Sequence, residues 1–225
     1  MKKIPVNMIG RRTFLAGAGL TALGSGWLRP ILNALPHSPI GKRDLRRPDS
    51  MRFNYDKAIV VDFLASPGYF NYPLNPPIDN EMLQNAVKSG ITVVNQTVHG
   101  SDFEDAVQNV AMWLNRIELY SDSLMQVKTV EHLLKAKGDS KLGIVLGFQN
   151  TTQFEDDLGH IETFLNLGVK VTQLTYNSRN LVGDGCLEPA NRGLTHYGHA
   201  VVERMNELGM LVDLSHCGQK TTAEA

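Results

Sequence analysis

The sequence predicts an α/β protein whose parallel strands and helices form part of a (β/α)₈ barrel. From Lys57 onward, short β-branched runs alternate with amphipathic helical segments, and a long aromatic and Pro-rich loop over 64–78 follows the first strand. A doubly wound sheet would instead need a Gly-rich phosphate turn at that point. About five βα units are present. Five strands cannot close such a barrel and would expose an apolar edge, so we expect the sequence to be cut short.

Five segments have the composition of buried strands. The first, over 58–63, is a continuous run rich in β-branched residues, as expected for a strand buried on both faces. The other four share this apolar character, and they cover residues 91–98, 142–148, 169–176 and 210–214. Their alternation with helices predicts a parallel sheet.

The helices between these strands are predicted from apolar periodicity and from residues typical of helix ends. Ser101 and Glu104 have the spacing of a capping box, and Thr195 is a predicted N-cap. Gly90 and Gly168 stand where helices commonly stop. The predicted helices cover residues 79–89, 103–120, 127–137, 154–167 and 195–209.

The first 36 residues differ from the rest of the chain in charge. They hold five basic residues and no acidic one, whereas the whole chain has 22 basic and 23 acidic side chains. Arg11 and Arg12 precede an uncharged, Gly- and Ala-rich run over 13–28, which is typical of a twin-arginine export signal. We expect the twin-arginine export machinery to be a partner and the destination to be periplasmic or extracellular. The run is short for a membrane span, so membrane attachment would come only from an uncleaved signal.

The rest of the chain divides into a linker and one folded domain. Residues 37–56 carry prolines and charges without an apolar period, which indicates a linker. Residues 57–225 form the N-terminal part of the predicted barrel. Balanced charge and an aromatic content of 7% give no indication of a nucleic-acid groove, and two cysteines exclude a disulfide-rich miniprotein.

Functional residues are expected at the carboxyl ends of the strands, where both α/β architectures collect their ligands. His216 is the strongest candidate, because it closely follows a buried strand and a neutral imidazole can bind a metal ion or act as a base. Asp62 ends an apolar strand, where its carboxylate needs a cation or a salt-bridge partner. The polar strand-end segments are 62–66, 97–99, 148–151, 176–179 and 213–217.

Other polar residues near these ends have structural explanations. Turn and cap chemistry accounts for most of the segment around His99, and residues 183–185 are typical of a turn. Cys186 and Cys217 could form a disulfide in an oxidising compartment or remain thiols. A Cys217 nucleophile with His216 as its base is disfavoured, because adjacent side chains at a strand end tend to diverge.

Several segments resemble the membrane (renal) dipeptidases, a family of metallopeptidases. The most specific is Gly-Leu-Thr-His-Tyr-Gly over 193–198, followed by a helix and then by Leu-Val-Asp-Leu-Ser-His over 211–216. Residues 143–149 and 171–177 also match in order. The resemblance covers about 57–225, the first half to two-thirds of such a domain. It implies a (β/α)₈ barrel with two zinc ions bridged by a glutamate, and hydrolysis of dipeptides.

The resemblance also implies roles for single residues, and here the match is incomplete. His216 falls on a zinc-ligand histidine of the family, whereas Gln149 replaces the bridging glutamate. Tyr176 stands where the family has a substrate-contacting histidine. After the first strand the family has Asp-x-His-x-Asp, but residues 62–66 have leucine and serine at the two ligand positions.

These replacements remove both carboxylates that would offset the four positive charges of two zinc ions. We therefore expect one zinc ion or none, with His216 and Gln149 as the metal-binding residues. Asp62 and Tyr176 are the expected catalytic residues. The residues expected to shape the substrate pocket are Tyr69, Tyr72, Tyr176 and Asn177.

The predicted function is hydrolysis of a dipeptide or a related small amide by an exported metallopeptidase. Two alternatives stay open. A divergent barrel could act on a peptide-like metabolite without a metal ion, or a catalytically inactive barrel could only bind peptides.

Overall fold

The computed structural model describes residues 54, 57–67 and 80–225. The predicted signal, almost all of the predicted linker, Tyr69 and Tyr72 lie outside these residues. The described strands are β1 (Val61–Asp62), β2 (Val93–Thr97), β3 (Leu124–Gln126), β4 (Leu142–Phe148), β5 (Val169–Gln173) and β6 (Leu211–Asp213). The described α-helices are α1 (Asn80–Lys88), α2 (Phe103–Leu119), α3 (Val130–Gly138), α4 (Gly159–Leu167), α5 (His196–Leu208) and α6 (Gln219–Glu224).

Five of these strands lie side by side in one parallel sheet, in the order β1-β2-β4-β5-β6. β2 pairs with β4 along its whole length, from Val93 opposite Gly143 to Thr97 opposite Gly147. The strand order follows the chain order, without the reversal that defines a doubly wound sheet. The prediction of a partial (β/α)₈ barrel is therefore confirmed.

The short strand β3 was not predicted from the sequence. It pairs with the first residues of β4, with Leu124 opposite Leu142, while β5 pairs with β4 from Leu146 onward. Because β2 occupies the other edge of β4, β3 and β5 share one edge. The predicted helix over 127–137 consequently begins later, at Val130, where the Thr129 side chain accepts a hydrogen bond from the His132 N–H.

One face of the sheet carries the hydrophobic core. Alternate residues of β4, among them Ile144, Leu146 and Phe148, pack with buried side chains of the helices such as Trp113 and Phe164. Residues of β2 and β5 that pair with Gly143 and Gly147 lie on the opposite face, because side chains alternate along a strand. That second face is the inner, concave side of the barrel wall.

The predicted helix ends at Thr195, Gly168 and Gly209 are confirmed. The predicted N-cap of α2 and the predicted starts of α3 and α4 are wrong, with α4 beginning at Gly159 and not at residue 154. Thr195 caps α5 by accepting a hydrogen bond from the Gly198 N–H at 2.9 Å. Gly168 and Gly209 end α4 and α5 with positive φ angles of 100° and 71°, which glycine adopts at little cost. The N-cap of α2 is Asp102 rather than Ser101, because the Asp102 carboxylate accepts the Asp105 N–H at 2.9 Å.

Strand β5 ends three residues earlier than predicted, at Gln173. The Leu174 carbonyl instead accepts hydrogen bonds from the Thr151 hydroxyl at 2.9 Å and from the Asn180 side-chain amide at 2.7 Å. Tyr176 therefore belongs to the loop above the sheet and not to the strand.

Among the helices that the structure describes, none is both long and apolar enough to cross a membrane.

Candidate functional site

The carboxyl ends of the parallel strands meet at one rim of the sheet, and the predicted site residues lie in the loops there. Tyr176 follows β5, and His216 follows β6. Their rings stack with centroids 4.3 Å apart and an angle of 20° between the planes. The structure thus brings together two residues that are separated by a whole helix in the chain.

Asn177 joins this pair through its side chain. The Asn177 Oδ1 atom lies 2.8 Å from His216 Nδ1, within hydrogen-bonding distance. Asn177 and His216 both have positive φ angles, 63° and 57°, and so both occupy the left-handed region. The His216 carbonyl also accepts a hydrogen bond from the Cys186 N–H at 2.8 Å, which fixes the backbone at this position.

A cleft of about 370 Å³ opens beside Tyr176 at the same rim. Gln149 lines this cleft, so the structure places two predicted site residues, Gln149 and Tyr176, at one cavity. His99 also lines it, although the sequence explained its segment mainly by turn chemistry. The whole lining consists of uncharged polar, aromatic and small residues with one histidine: Thr97, Val98, His99, Gly100, Gln149, Asn150, Gln153 and Tyr176.

Asp62 lies away from this group. It pairs with Val94, a residue of the core that faces the helices, and paired residues in parallel strands share a face. Its Oδ1 atom accepts the Leu64 N–H at 3.0 Å. Asp62 is not among the residues that line the cleft, so its predicted catalytic role stays a prediction.

The loop between β5 and α5 is anchored by Asp184, which sequence reasoning missed. The side chain of Asp184 is 1% exposed, forms an ion pair with Arg179 and accepts the Arg192 N–H at 2.6 Å. Burial opposes its ionisation, but the Arg192 N–H and the Arg179 guanidinium outweigh burial and hold the pKa of this carboxyl below its ordinary value. The only sequence signal was an acidic residue between two turn glycines.

The two cysteines are free thiols in the structure. Cys186 is exposed, and its Sγ lies 3.4 Å from Asn177 Oδ1. Cys217 is buried, and burial raises the pKa of its thiol, which disfavours the thiolate that a nucleophile requires. The structure therefore agrees with the expectation that Cys217 is not a nucleophile.

Whether a metal ion fits this rim depends on the side-chain atoms that could bind it. Among the described residues, no group of three or more His, Cys, Asp and Glu side chains is placed to hold a metal ion. The amide of Gln149 is neutral, and Leu64 offers no donor atom. Two zinc ions therefore do not fit the described residues, whereas His216 keeps one ring nitrogen, Nε2, for a single ion.

Comparisons with known proteins agree with the fold. The family model for the membrane dipeptidases (Peptidase family M19) matches residues 80–225. Dipeptidase tcpJ of Claviceps purpurea is 28% identical over 130 residues, which are 57% of this chain and 31% of that protein.

Solved structures show the same architecture. An amidohydrolase from Pseudomonas aeruginosa superposes with a TM-score of 0.67 at 36% identity, over 76% of this chain and 50% of that one. A metallopeptidase from Rhodobacter sphaeroides, liganded with a phosphinate mimic of the dipeptide L-Ala-D-Ala, superposes with a TM-score of 0.57. At 14% identity, over 63% of this chain and 51% of that one, it shows the fold alone.

The chain spans about a third of the length of the curated relative and about half the length of the solved structures. The residues that the family model matches extend from the start of α1 to beyond the end of α6. Since the family model covers more than half of the chain, this protein belongs to the membrane dipeptidase family, peptidase family M19.

Proposed function

We propose that this chain belongs to an enzyme that hydrolyses dipeptides or related small amides. The observation that carries the proposal is the group formed by Tyr176, Asn177 and His216 beside the cleft that Gln149 lines. A cleft of about 370 Å³ with amide side chains matches the size and the hydrogen-bonding groups of a small peptide. Family membership supports the same reaction class.

The metal requirement of the family suggests a metal cofactor, and we propose that it is at most one zinc ion. His216 would hold it through Nε2, with Gln149 as a neutral oxygen donor. Zinc, when bound, supplies Lewis-acid polarisation of a carbonyl group and lowers the pKa of water. The Nδ1 hydrogen bond to Asn177 orients the ring of His216, and the Tyr176 ring packs against one face of it.

Substrate binding is assigned to the rim residues. Tyr176 is 42% exposed at the edge of the cleft, so its ring is available to pack against an apolar peptide side chain. We propose that Tyr69 and Tyr72, from the aromatic loop after β1, complete this pocket. The side chains of Gln149 and Asn150 offer donors and acceptors for the backbone of a peptide.

The direct test is dipeptide hydrolysis by the purified chain supplied with zinc, compared with the variant His216→Asn. Asparagine tolerates the positive φ angle at this position, so the variant removes the imidazole without straining the backbone. We expect activity to fall at least 10²-fold, because an essential ring nitrogen is lost. The matched control is His196→Asn, on the exposed first residue of α5, which should keep full activity. Equal activity in His216→Asn and the wild type would remove His216 from the mechanism.

A second candidate function is peptide binding without catalysis. The replacement of carboxylates by neutral side chains favours it, because a cleft lined by amides can bind a peptide but cannot hold two metal ions. Calorimetric titration with a dipeptide in the presence of a chelator separates the two functions. Binding without any hydrolysis when zinc is added would favour the binding protein.

We propose further that the protein is exported through the twin-arginine pathway. The paired arginines Arg11 and Arg12 before an uncharged run support this proposal. Fractionation of cells that express the wild type and the variant with both arginines changed to lysine tests it. Equal amounts of both proteins outside the cytoplasm would argue against this route.

A further inference from the structure

The side chain of Asn177 lies between two donors at the rim of the sheet. Its Oδ1 atom is 2.8 Å from His216 Nδ1 and 3.4 Å from Cys186 Sγ. An amide oxygen only accepts hydrogen bonds, so with Oδ1 directed at the ring, His216 Nδ1 must carry a proton. In that tautomer the second ring nitrogen, Nε2, carries the lone pair.

The backbone holds Asn177 in place for this contact. Asn177 has a φ angle of 63°, and asparagine is one of the few residues that adopt the left-handed region readily. Its carbonyl accepts the Leu187 N–H at 2.9 Å, while the His216 carbonyl accepts the Cys186 N–H at 2.8 Å. The loop around Cys186 thus ties the backbones of both residues to each other.

The ring of His216 is fixed on a second side by Tyr176. The two rings stack with a centroid distance of 4.3 Å, so the imidazole plane has little freedom to turn. With its plane set by Tyr176 and its Nδ1 proton directed to Asn177, the imidazole has a defined orientation for Nε2.

We infer that Asn177 is a positioning residue that fixes the tautomer and orientation of His216, and not a substrate-contacting residue as the sequence suggested. The expected effect of Asn177 on catalysis rests on the proposed function. The contact itself is a property of the metal-free protein, so it can be tested without any activity.

The test is a long-range ¹H–¹⁵N correlation spectrum of the full-length, metal-free protein with ¹⁵N-labelled histidine, recorded where the His216 ring is neutral. The His216 signals are assigned by their loss in His216→Asn. We expect the wild type to carry the proton on Nδ1. In Asn177→Gly, which keeps the positive φ angle, the ratio of Nδ1- to Nε2-protonated ring should fall about fivefold, the factor equivalent to a net hydrogen bond of about 1 kcal/mol.

Two further variants make the result specific. Asn177→Asp keeps an acceptor oxygen and should restore the Nδ1-protonated form. Ser140→Gly, at an exposed residue that also has a positive φ angle of 55°, should leave the His216 signals unchanged. A wild-type ring protonated on Nε2, or an unchanged ratio in Asn177→Gly, would overturn the inference.

Hydrolysis assays on the same proteins keep the two proposals apart. If the wild type hydrolyses dipeptides, Asn177→Gly should lower kcat more than it raises KM, and Asn177→Asp should recover most of the loss. If the wild type hydrolyses no dipeptide, the proposed function fails, while the tautomer ratios alone decide the role of Asn177.

Discussion

Gly185 presses against the backbone of Asn177 so closely that no side chain fits between them. A Cβ atom at position 185 would overlap the carbonyl carbon and oxygen of Asn177. The variant Gly185→Ala should therefore displace Asn177 and its contact with His216. Because small displacements at a reacting centre are costly, we expect a loss of about 10²-fold in kcat/KM in the dipeptide assay.

Gly138 provides the matched control for this prediction. It ends α3, and a Cβ atom there would meet nothing within 4 Å. Gly138→Ala should keep full activity and gain about 0.5–1 kcal/mol in the free energy of unfolding, because alanine favours a helix over glycine. A wild-type kcat/KM in Gly185→Ala would show that the close approach has no functional importance.

At this scale the sequence predicted positions but not contacts. His216, Tyr176 and Gln149 could be placed at the rim because each follows a parallel strand. The hydrogen bond between Asn177 and His216 could not be predicted, since it depends on two left-handed φ angles at residues other than glycine. Residues 97–99 were also predicted at the rim, but turn chemistry was the preferred explanation for His99, because a histidine before a helix gives no signal of its exposure to a cavity.

At the scale of elements, the loop between β5 and α5 depends on the buried carboxylate of Asp184. The backbone carbonyl of Asp184 also accepts hydrogen bonds from the Gly218 N–H and the Thr221 hydroxyl, and these bonds connect the loop to α6. Asp184→Asn should lower the free energy of unfolding by about 1–3 kcal/mol at pH 7, because buried polar partners lose an acceptor. Urea unfolding measures this difference.

The pH dependence of that difference follows from the lowered pKa of Asp184. A carboxyl whose pKa is lower in the folded state stabilises the protein above its unfolded pKa of about 3.9. The advantage of the wild type over Asp184→Asn should therefore be constant above about pH 5 and shrink as the pH falls below about 4. Asp139, which forms an exposed ion pair with Lys135, provides the control. Asp139→Asn should change the free energy of unfolding little at any pH, because exposed ion pairs contribute little to stability. A difference independent of pH would contradict the role of the Asp184 charge.

The predicted elements were not equally accurate: the apolar run over 58–63, predicted as a strand buried on both faces, is a strand only at Val61–Asp62, where Val61 and the neighbouring Phe63 are exposed. The predicted strand over 142–148 is identical to β4, whereas the three residues of β3 were too few to give a period. The predicted end of β5 was wrong because the Leu174 carbonyl accepts hydrogen bonds from the side chains of Thr151 and Asn180. Such tertiary hydrogen bonds leave no mark on local periodicity.

At the scale of the whole molecule, the parallel strands in chain order set the position of the candidate site. Their carboxyl ends meet at one rim, and this places Tyr176 beside His216 and next to Gln149. This architecture was predictable from the alternation of strands and helices. The expected departure from the family pattern was also visible in the sequence, because Leu64, Ser66 and Gln149 stand where the resemblance implies a histidine, an aspartate and a glutamate.

The most direct test of the central claim is the zinc content of the purified chain, measured by elemental analysis beside His216→Asn. We attribute at most one zinc ion to each chain, and the imidazole of His216 is indispensable for holding it. We therefore predict no more than one zinc per wild-type chain and none in His216→Asn. Two zinc ions per chain, or one that persists in the variant, would contradict the account.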